Sequence, residues 1–470
     1  MERLTTLDAG FLHAEDADRH VSLAIGGLAV MAGPAPDHES TMRTFVQRVA
    51  ACPRFGQRLR LHPLGLSAPE WVEHPNFDVA HHVRRTALPA PGDDDALYRL
   101  VADVMAMRLD RDRPLWEIWV IEGLADNRWA MLTKVHHCMA DGIAATHMFT
   151  GLCDDGVDES FAHRIRAARQ AKASEPRDVS FEANPVKLVV RLWHDTTTIA
   201  AAAVRAAHGV TDLAIDLARP ASSSTLTGPV SSLRRYRGAR VPMSDIAQVC
   251  EKFDVTINDV ALAAIAESYR DTMLRRGEQP QPDSLRTLVP VSMRSNDALH
   301  ATDNRVSLML PHLPVEEENL VKRLRTVHSR LDRTKSRGQH HAGNAVVSAG
   351  NRIPFALTAW AVRLLAQLPQ RAVVTLATNV PGPQKPLHIM GCEVLSLFPV
   401  PPIAMNLRTG VAMLSYADDL FFGILADYET VPDIDALASG IEHAVARLVA
   451  VSRLRRKPSD RHGLMLVNPA

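Results

Sequence analysis

A chain of 470 residues is long enough for two or three domains with sizeable cores. It is 46% hydrophobic and 23% charged, an ordinary globular balance, and its 53 basic and 53 acidic side chains cancel, leaving no field to recruit nucleic acid. Cys52, Cys138, Cys153, Cys250 and Cys392 are scattered without C-x-x-C spacing, which argues against a disulfide framework or a zinc site and fits a reducing compartment. The first residues lack the apolar core of a signal peptide, and no run of ~18 apolar residues would span a bilayer. The expectation is a cytoplasmic protein with any membrane contact peripheral.

Residues 1–155 read as mixed α/β. Leu4 to Glu15 carries Leu7-Asp8-Ala9-Gly10-Phe11 and precedes a strand over Val21 to Met31. Met42, Phe45, Val46 and Val49 recur at helical spacing and predict a helix over Thr41 to Ala51. The stretches Cys52 to Arg60 and Trp71 to Asp78 follow. Pro114-Leu115-Trp116 leads into a strand over Glu117 to Glu122, and Trp116 reads either as a core residue or as a substrate contact. Another strand runs from Trp129 into His136-His137, and a helix begins at Ile143.

Residues 156–235 change character. Asp154 to Pro185 is polar and broken by prolines, Pro185 to Leu217 favours a long helix, and Pro220 to Pro229 is rich in Ser, Thr, Pro and Gly. This reads as a helical linker joining two halves. The helix's apolar side, with Val189, Leu192, Trp193, Ile199 and Val204, suits packing on the protein's own core, with a lipid surface as the alternative.

Residues 236–470 form the second half. Helices are expected over Val241 to Phe253, from Thr256 onward, over Leu320 to Ser336, over Ala356 to Leu368 and over Ile434 to Val451. Strands are expected at Leu288 to Arg294, Leu308 to Leu310, Thr378 to Pro383, Met390 to Cys392, Gly410 to Tyr416 and Leu420 to Asp427. Asn258 and Asp259 fall in the first turn of the helix after Thr256, where capping is their structural role. The basic tail from Arg453 to Lys457 reads as solvated, with an anionic membrane as the alternative.

The stretch from Trp129 to Gly142 carries the chemistry. Neighbouring side chains of an extended segment point to opposite faces, so His136 and His137 face different ways and only one can meet a given substrate. A neutral imidazole suits removal of a proton from a hydroxyl at neutral pH. With 21 histidines present, a bare His-His pair says little. The pairs His81-His82 and His340-His341 lack the Asp-Gly step that places Asp141 and Gly142 after His136-His137. Without a further partner the pattern also fits two satisfied histidines and an Asp141 that caps the next helix. No P-loop, G-x-G-x-x-G, G-x-S-x-G or H-E-x-x-H is present. A single well-placed base suits ester formation from a thioester, whose carbonyl is already activated and whose thiol leaves readily.

The His-His-x-x-x-Asp-Gly pattern resembles that of the CoA-dependent acyltransferase superfamily, which includes chloramphenicol acetyltransferase and the condensation domains of peptide synthetases. With Pro114-Leu115-Trp116, Asn258-Asp259 and the layout of nearly the full length, the chain looks like a bacterial wax ester synthase/diacylglycerol acyltransferase. The resemblance is weakest over residues 156–235. It implies an α/β fold of two chloramphenicol-acetyltransferase-like domains, 1–155 and 236–470, packed around a central cleft that holds the active site.

By the same resemblance His137 is the general base toward the acceptor hydroxyl and His136 orients the loop. Asp141 is structural and pairs with an arginine, for which Arg58 is the candidate; Gly142 gives backbone freedom at the turn. Asn258 and Asp259 sit across the cleft near the acyl chain or the oxyanion, and Pro114, Leu115 and Trp116 touch substrate. No covalent acyl-enzyme is implied, so Cys138 need not be a nucleophile. The implied co-substrate is long-chain acyl-CoA, with no bound cofactor and no metal. The acceptor is diacylglycerol or a fatty alcohol, giving triacylglycerol or wax ester, at the inner membrane face or on lipid inclusions. Two rival readings stand beside it: an acyltransferase of the superfamily using a carrier-protein donor for polyketide or peptide products, and a catalytically silent lipid-binding or lipid-droplet protein.

Overall fold

The computed structural model describes residues 2–62, 67–156, 224–292, 306–336, 373–404 and 406–453. The helices expected over 185–217 and 356–368, the pair His340-His341 and the tail beyond Arg453 lie outside the described residues.

Helix starts follow polar caps. Thr5 opens α1 (Thr6–Ala17), Asp37 opens α2 (His38–Ala50), Asp93 opens α3 (Asp94–Ala106) and Asp141 opens α4 (Gly142–Thr150). Each cap's side-chain oxygen accepts the backbone N–H three residues on, which satisfies one of the donors a helix start leaves unpaired. In the second half Pro242 precedes α5 (Met243–Phe253), and α6 (Ile257–Arg275), α7 (Leu320–Ser336) and α8 (Ile434–Arg453) follow. Among the described residues no helix is long and apolar enough to cross a membrane.

The strands are β1 (Ala24–Ala32), β2 (Gln57–Arg60), β3 (Glu70–Glu73), β4 (Val83–Ala87), β5 (Trp116–Leu124), β6 (Arg128–His136) and β7 (Arg234–Pro242). After them come β8 (Thr287–Ser292), β9 (Val306–Met309), β10 (Thr375–Val380), β11 (His388–Ile389), β12 (Cys392–Val400), β13 (Thr409–Tyr416) and β14 (Asp419–Asp427). The first large sheet has the order β11-β12-β1-β6-β5-β4, the second β7-β14-β13-β10-β8-β9, and β2 pairs with β3 alone. Residues 388–400, far along the second half, therefore complete the sheet of the first half, with β12 antiparallel to β1.

Two expected elements are corrected. Val241 and Pro242 end β7 and only Met243 starts the helix. Met390 and Gly391 form a turn, both at positive φ (51° and 78°), which joins β11 to β12 as a tight hairpin.

The second sheet faces two cores through its period of two. On β14, Phe421 and Leu425 enter the core of the first half, while Leu420, Phe422, Ile424 and Ala426 enter the core shared with α5, α6 and α8. On β7, Tyr236 joins the first core, and Ala239 and Val241 the second. This explains why β14 is buried along its whole length and reads as a continuous apolar run. Where the sheets meet, Gly423 of β14 pairs with Gly238 of β7. A Cβ on Gly423 would stand 1.6 Å from the Pro399 carbonyl oxygen, and one on Gly238 2.6 Å from the Phe398 ring. The two glycines let β12 lie directly on the second sheet, and the Tyr236 hydroxyl donates to the Pro399 carbonyl at 3.0 Å.

Gly423→Val should separate this junction. Because the obstacle is backbone, the cost should exceed the ~1–3 kcal/mol of ordinary overpacking. Urea unfolding monitored by Trp fluorescence checks it, and a wild-type midpoint would contradict the junction.

Candidate active site

The His pair sits where β6 ends. Leu115 accepts the His136 N–H at 3.0 Å, and the His136 carbonyl accepts the Met139 N–H at 2.8 Å, which closes a turn over residues 136–139. The His137 N–H donates to the Leu23 carbonyl at 2.9 Å. Asp141 then caps α4 through the Ala144 N–H at 2.8 Å. The strand–turn–helix placement expected of the motif is thus present.

The two imidazoles have different surroundings. His136 is 1% exposed. Its Nδ1 accepts the Cys138 N–H at 3.1 Å, so in the neutral ring the proton sits on Nε2, which lies 3.5 Å from Glu15 Oε2. His137 is half-buried and stacks on Phe11 of α1, with ring centroids 4.1 Å apart and planes at 14°. Phe11 covers one face of the ring, so a reacting group meets its edge or the opposite face.

Glu15 and Phe11 are the site residues that sequence reasoning missed. Glu15 is 1% exposed. Its Oε1 accepts the Leu23 N–H at 3.1 Å and its Oε2 accepts from Arg111 at 2.7 Å. Burial pushes the carboxyl up, but His136, Arg111 and the Leu23 N–H outweigh it and bring the pKa to about 2. Arg111 also holds Asp16 and the Leu12 carbonyl. Lys134, on the same face of β6 as His136, donates to the Val104 and Met107 carbonyls at the end of α3, at 2.7 and 2.6 Å. Burial brings its pKa down to about 8, against the pull of Glu117 and Glu15. The signal in the sequence was a carboxylate three residues after Leu12 on the buried stripe of α1, a position where an unpaired charge is costly.

Pro114, Leu115 and Trp116 are buried. The Trp116 indole donates to the Phe55 carbonyl at 2.8 Å and stacks on His82 at 4.6 Å, and His82 Nδ1 lies 2.8 Å from the Trp116 carbonyl. The step therefore anchors β5 beneath the His turn, and one member of the His81-His82 pair is part of that anchor. Arg58 stands on β2 opposite Val72. Gly142 is not in the left-handed region. A Cβ there would meet Val380 Cγ2 at 2.7 Å, so glycine is required for space where β10 of the second half approaches α4, and not for backbone freedom.

Asp259 accepts the Thr256 N–H and hydroxyl, both at 2.8 Å, and lies 2.8 Å from His328 Nδ1 of α7. It is 1% exposed, so its carboxylate serves the capping box and the α6–α7 contact, while Asn258 beside it is half-buried. Cys138 is buried, and desolvation pushes its thiol well above the ordinary range, which removes the thiolate a nucleophile needs. Among the described residues no group of three His, Cys, Asp or Glu is arranged to hold a metal. A narrow crevice with room for about one water molecule lies between the β5–β6 face and α4, lined by Phe55, Trp116, Val135, Ala145, Met148 and Phe149 among others.

Glu15→Gln should destabilise the fold on the order of 3 kcal/mol at neutral pH. The folded pKa lies below the ordinary carboxylate value, so this contribution is present above the unfolded pKa of 4.5 and is lost as pH falls toward about 2. Thermal unfolding of both proteins across pH 2–7 should show the gap closing on the acid side.

Comparison with known proteins gives one answer by sequence and by fold. Residues 4–261 match the wax ester synthase/diacylglycerol acyltransferase catalytic domain, and residues 302–448 match the WS/DGAT C-terminal domain. The protein tgs1 of Mycobacterium tuberculosis (strain ATCC 25618 / H37Rv), described as a probable diacylglycerol O-acyltransferase, is 61% identical over 467 residues, 99% of this chain and 100% of its own. The solved wax ester synthase/diacylglycerol acyltransferase of Marinobacter aquaeolei VT8 is 25% identical with a TM-score of 0.66, over 96% of this chain and 100% of that one. The first condensation domain of the CDA synthetase, 16% identical, shares the fold alone, with a TM-score of 0.61 over 95% of this chain and 96% of its own. The α/β architecture of two acyltransferase-like domains is therefore that of these proteins, and the chain belongs to the wax ester synthase/diacylglycerol acyltransferase family.

Proposed function

We propose that this protein is an acyl-CoA-dependent O-acyltransferase that esterifies diacylglycerol, with a long-chain fatty alcohol as a second acceptor. The observation that carries the reading is the full-length 61% identity to a relative described as a probable diacylglycerol O-acyltransferase, in a chain whose His turn is complete. The fatty alcohol enters through the likeness to the Marinobacter enzyme, whose name includes wax ester synthase.

In this reading His137 is the base. It takes the proton from the acceptor hydroxyl as the oxygen bonds to the thioester carbonyl carbon. The tetrahedral adduct then expels the CoA sulfur, and the imidazolium returns the proton to that sulfur, so ester and free CoA leave together. The half-buried position of His137 against Phe11 supports this role, and the burial of His136 beside Glu15 supports a positioning role for the first histidine. Asp141 and Gly142 hold the turn and the start of α4. Acyl-CoA acts as co-substrate, with no resident cofactor, and the protein works in the cytoplasm at a lipid surface.

Purified protein given radiolabelled palmitoyl-CoA should form triacylglycerol from diacylglycerol and wax ester from hexadecanol. His137→Ala should lower the rate by about 10²–10⁴-fold while remaining folded. Product from a carrier-bound acyl donor but none from palmitoyl-CoA would move the reading to the carrier-dependent class. No product from either donor would move it to lipid binding.

A further inference from the structure

The segment between α1 and β1, residues 18–23, has no regular structure, yet its backbone backs the His turn directly. The Leu23 carbonyl accepts the His137 N–H, and the Leu23 N–H donates to Glu15. The Asp18 and Val21 carbonyls are also engaged. Arg108, just beyond α3, donates to the Val21 carbonyl at 2.8 Å and to the Glu15 and Asp18 carbonyls. These contacts come from the first half.

The His20 carbonyl is held differently. It accepts at 2.5 Å from Nη2 of Arg234, the first residue of β7 in the second sheet. Arg234 is 4% exposed. Its Nη1 donates to the Ser231 and Leu233 carbonyls at 2.5 and 2.9 Å, and Asp427, its register partner on β14, lies 3.9 Å away. Asp427 is itself fixed by the Ser231 and Thr430 N–H groups and the Thr430 hydroxyl. The guanidinium is thus anchored in the second half with one arm extended to the segment that backs His137. A planar fork with several donors can serve both sides at once, which a lysine ammonium does less well.

We propose that Arg234 is a positioning residue through which the second half of the chain sets the His137 turn. The inference rests on the reading of His137 as the base. Its path is short: Arg234 to the His20 carbonyl, along residues 20–23 to the Leu23 carbonyl, and from there to the His137 N–H. Correct seating of the second sheet thereby becomes a condition for the base to stand in place. A displacement of an ångström at a reacting group is enough to slow chemistry substantially without weakening substrate binding.

The test uses the full chain with Arg234→Met and Arg234→Lys. Amide hydrogen exchange is followed over residues 18–25 and 134–141, and kcat and KM are measured with palmitoyl-CoA and diacylglycerol. Arg276→Met, which removes an ion pair to Asp433 inside the second half, serves as a control for general loss of stability. For Arg234→Met we expect faster exchange at both segments and kcat lowered about ten- to hundredfold, with KM for palmitoyl-CoA within about twofold. Arg234→Lys should fall between wild type and Arg234→Met in both readouts, and it takes over the test if the Met variant does not fold. Arg276→Met should leave exchange at the two segments unchanged.

Unchanged exchange at residues 18–25 and 134–141 in a folded Arg234 variant overturns the proposal, as does faster exchange with an unchanged kcat. If wild-type protein transfers no acyl group, the proposed function fails on its own, while the exchange comparison still decides whether Arg234 holds the turn.

Discussion

A buried carboxylate sets the geometry of this site. Glu15 binds the Leu23 N–H with one oxygen, and with the other it meets Arg111 and faces His136. One group on α1 thereby ties down the segment that enters β1, the loop before β5 and the end of β6. Removing such a charge from water is unfavourable unless its partners are arranged for it, so the arrangement must form as a unit. Its consequence is that His136 is built into the scaffold, while the next residue, His137, stacks on Phe11, one turn earlier on the same helix.

A second constraint acts at longer range. The second sheet belongs to two cores at once: alternate residues of β14 and β7 point to the helices behind it and to the first half in front. Contact is close enough that Gly423 and Gly238 can carry no side chain, and β12 leaves the second half to complete the first sheet. The halves are therefore interlocked through β12 and do not merely touch. The His turn lies at this seam, where Val380 of β10 reaches Gly142.

Much of this was legible in the residues. His136, His137, Asp141 and Gly142 announced a strand, a turn and a capped helix, because alternation and capping are local rules. The capping position of Asp259 was equally visible, and the fold adds its contact with His328, which no local rule contains. The place of Glu15 among the apolar residues of α1 was a signal, but its partner Arg111 stands ninety-six positions later in the chain, where no local rule finds it. The strand β7 was missed because arginines occupy Arg234, Arg235, Arg237 and Arg240, and their role depends on facing another part of the protein. The exchange of β12 between halves is a matter of pairing, on which periodicity is silent. Gly142 was expected to relax the backbone and instead makes room, a distinction that appears only once Val380 is placed.

The division of labour between adjacent histidines is the centre of this account. Nitrogen-15 NMR of histidine-labelled protein, with the His136 signals assigned by their loss in His136→Asn, reads the protonation of each ring nitrogen directly. The account predicts that at pH 7 His136 carries its proton on Nε2, toward Glu15, and leaves Nδ1 bare to accept the Cys138 N–H. A proton on Nδ1 of His136 would contradict it, because the first histidine would then no longer be held in the turn that presents His137.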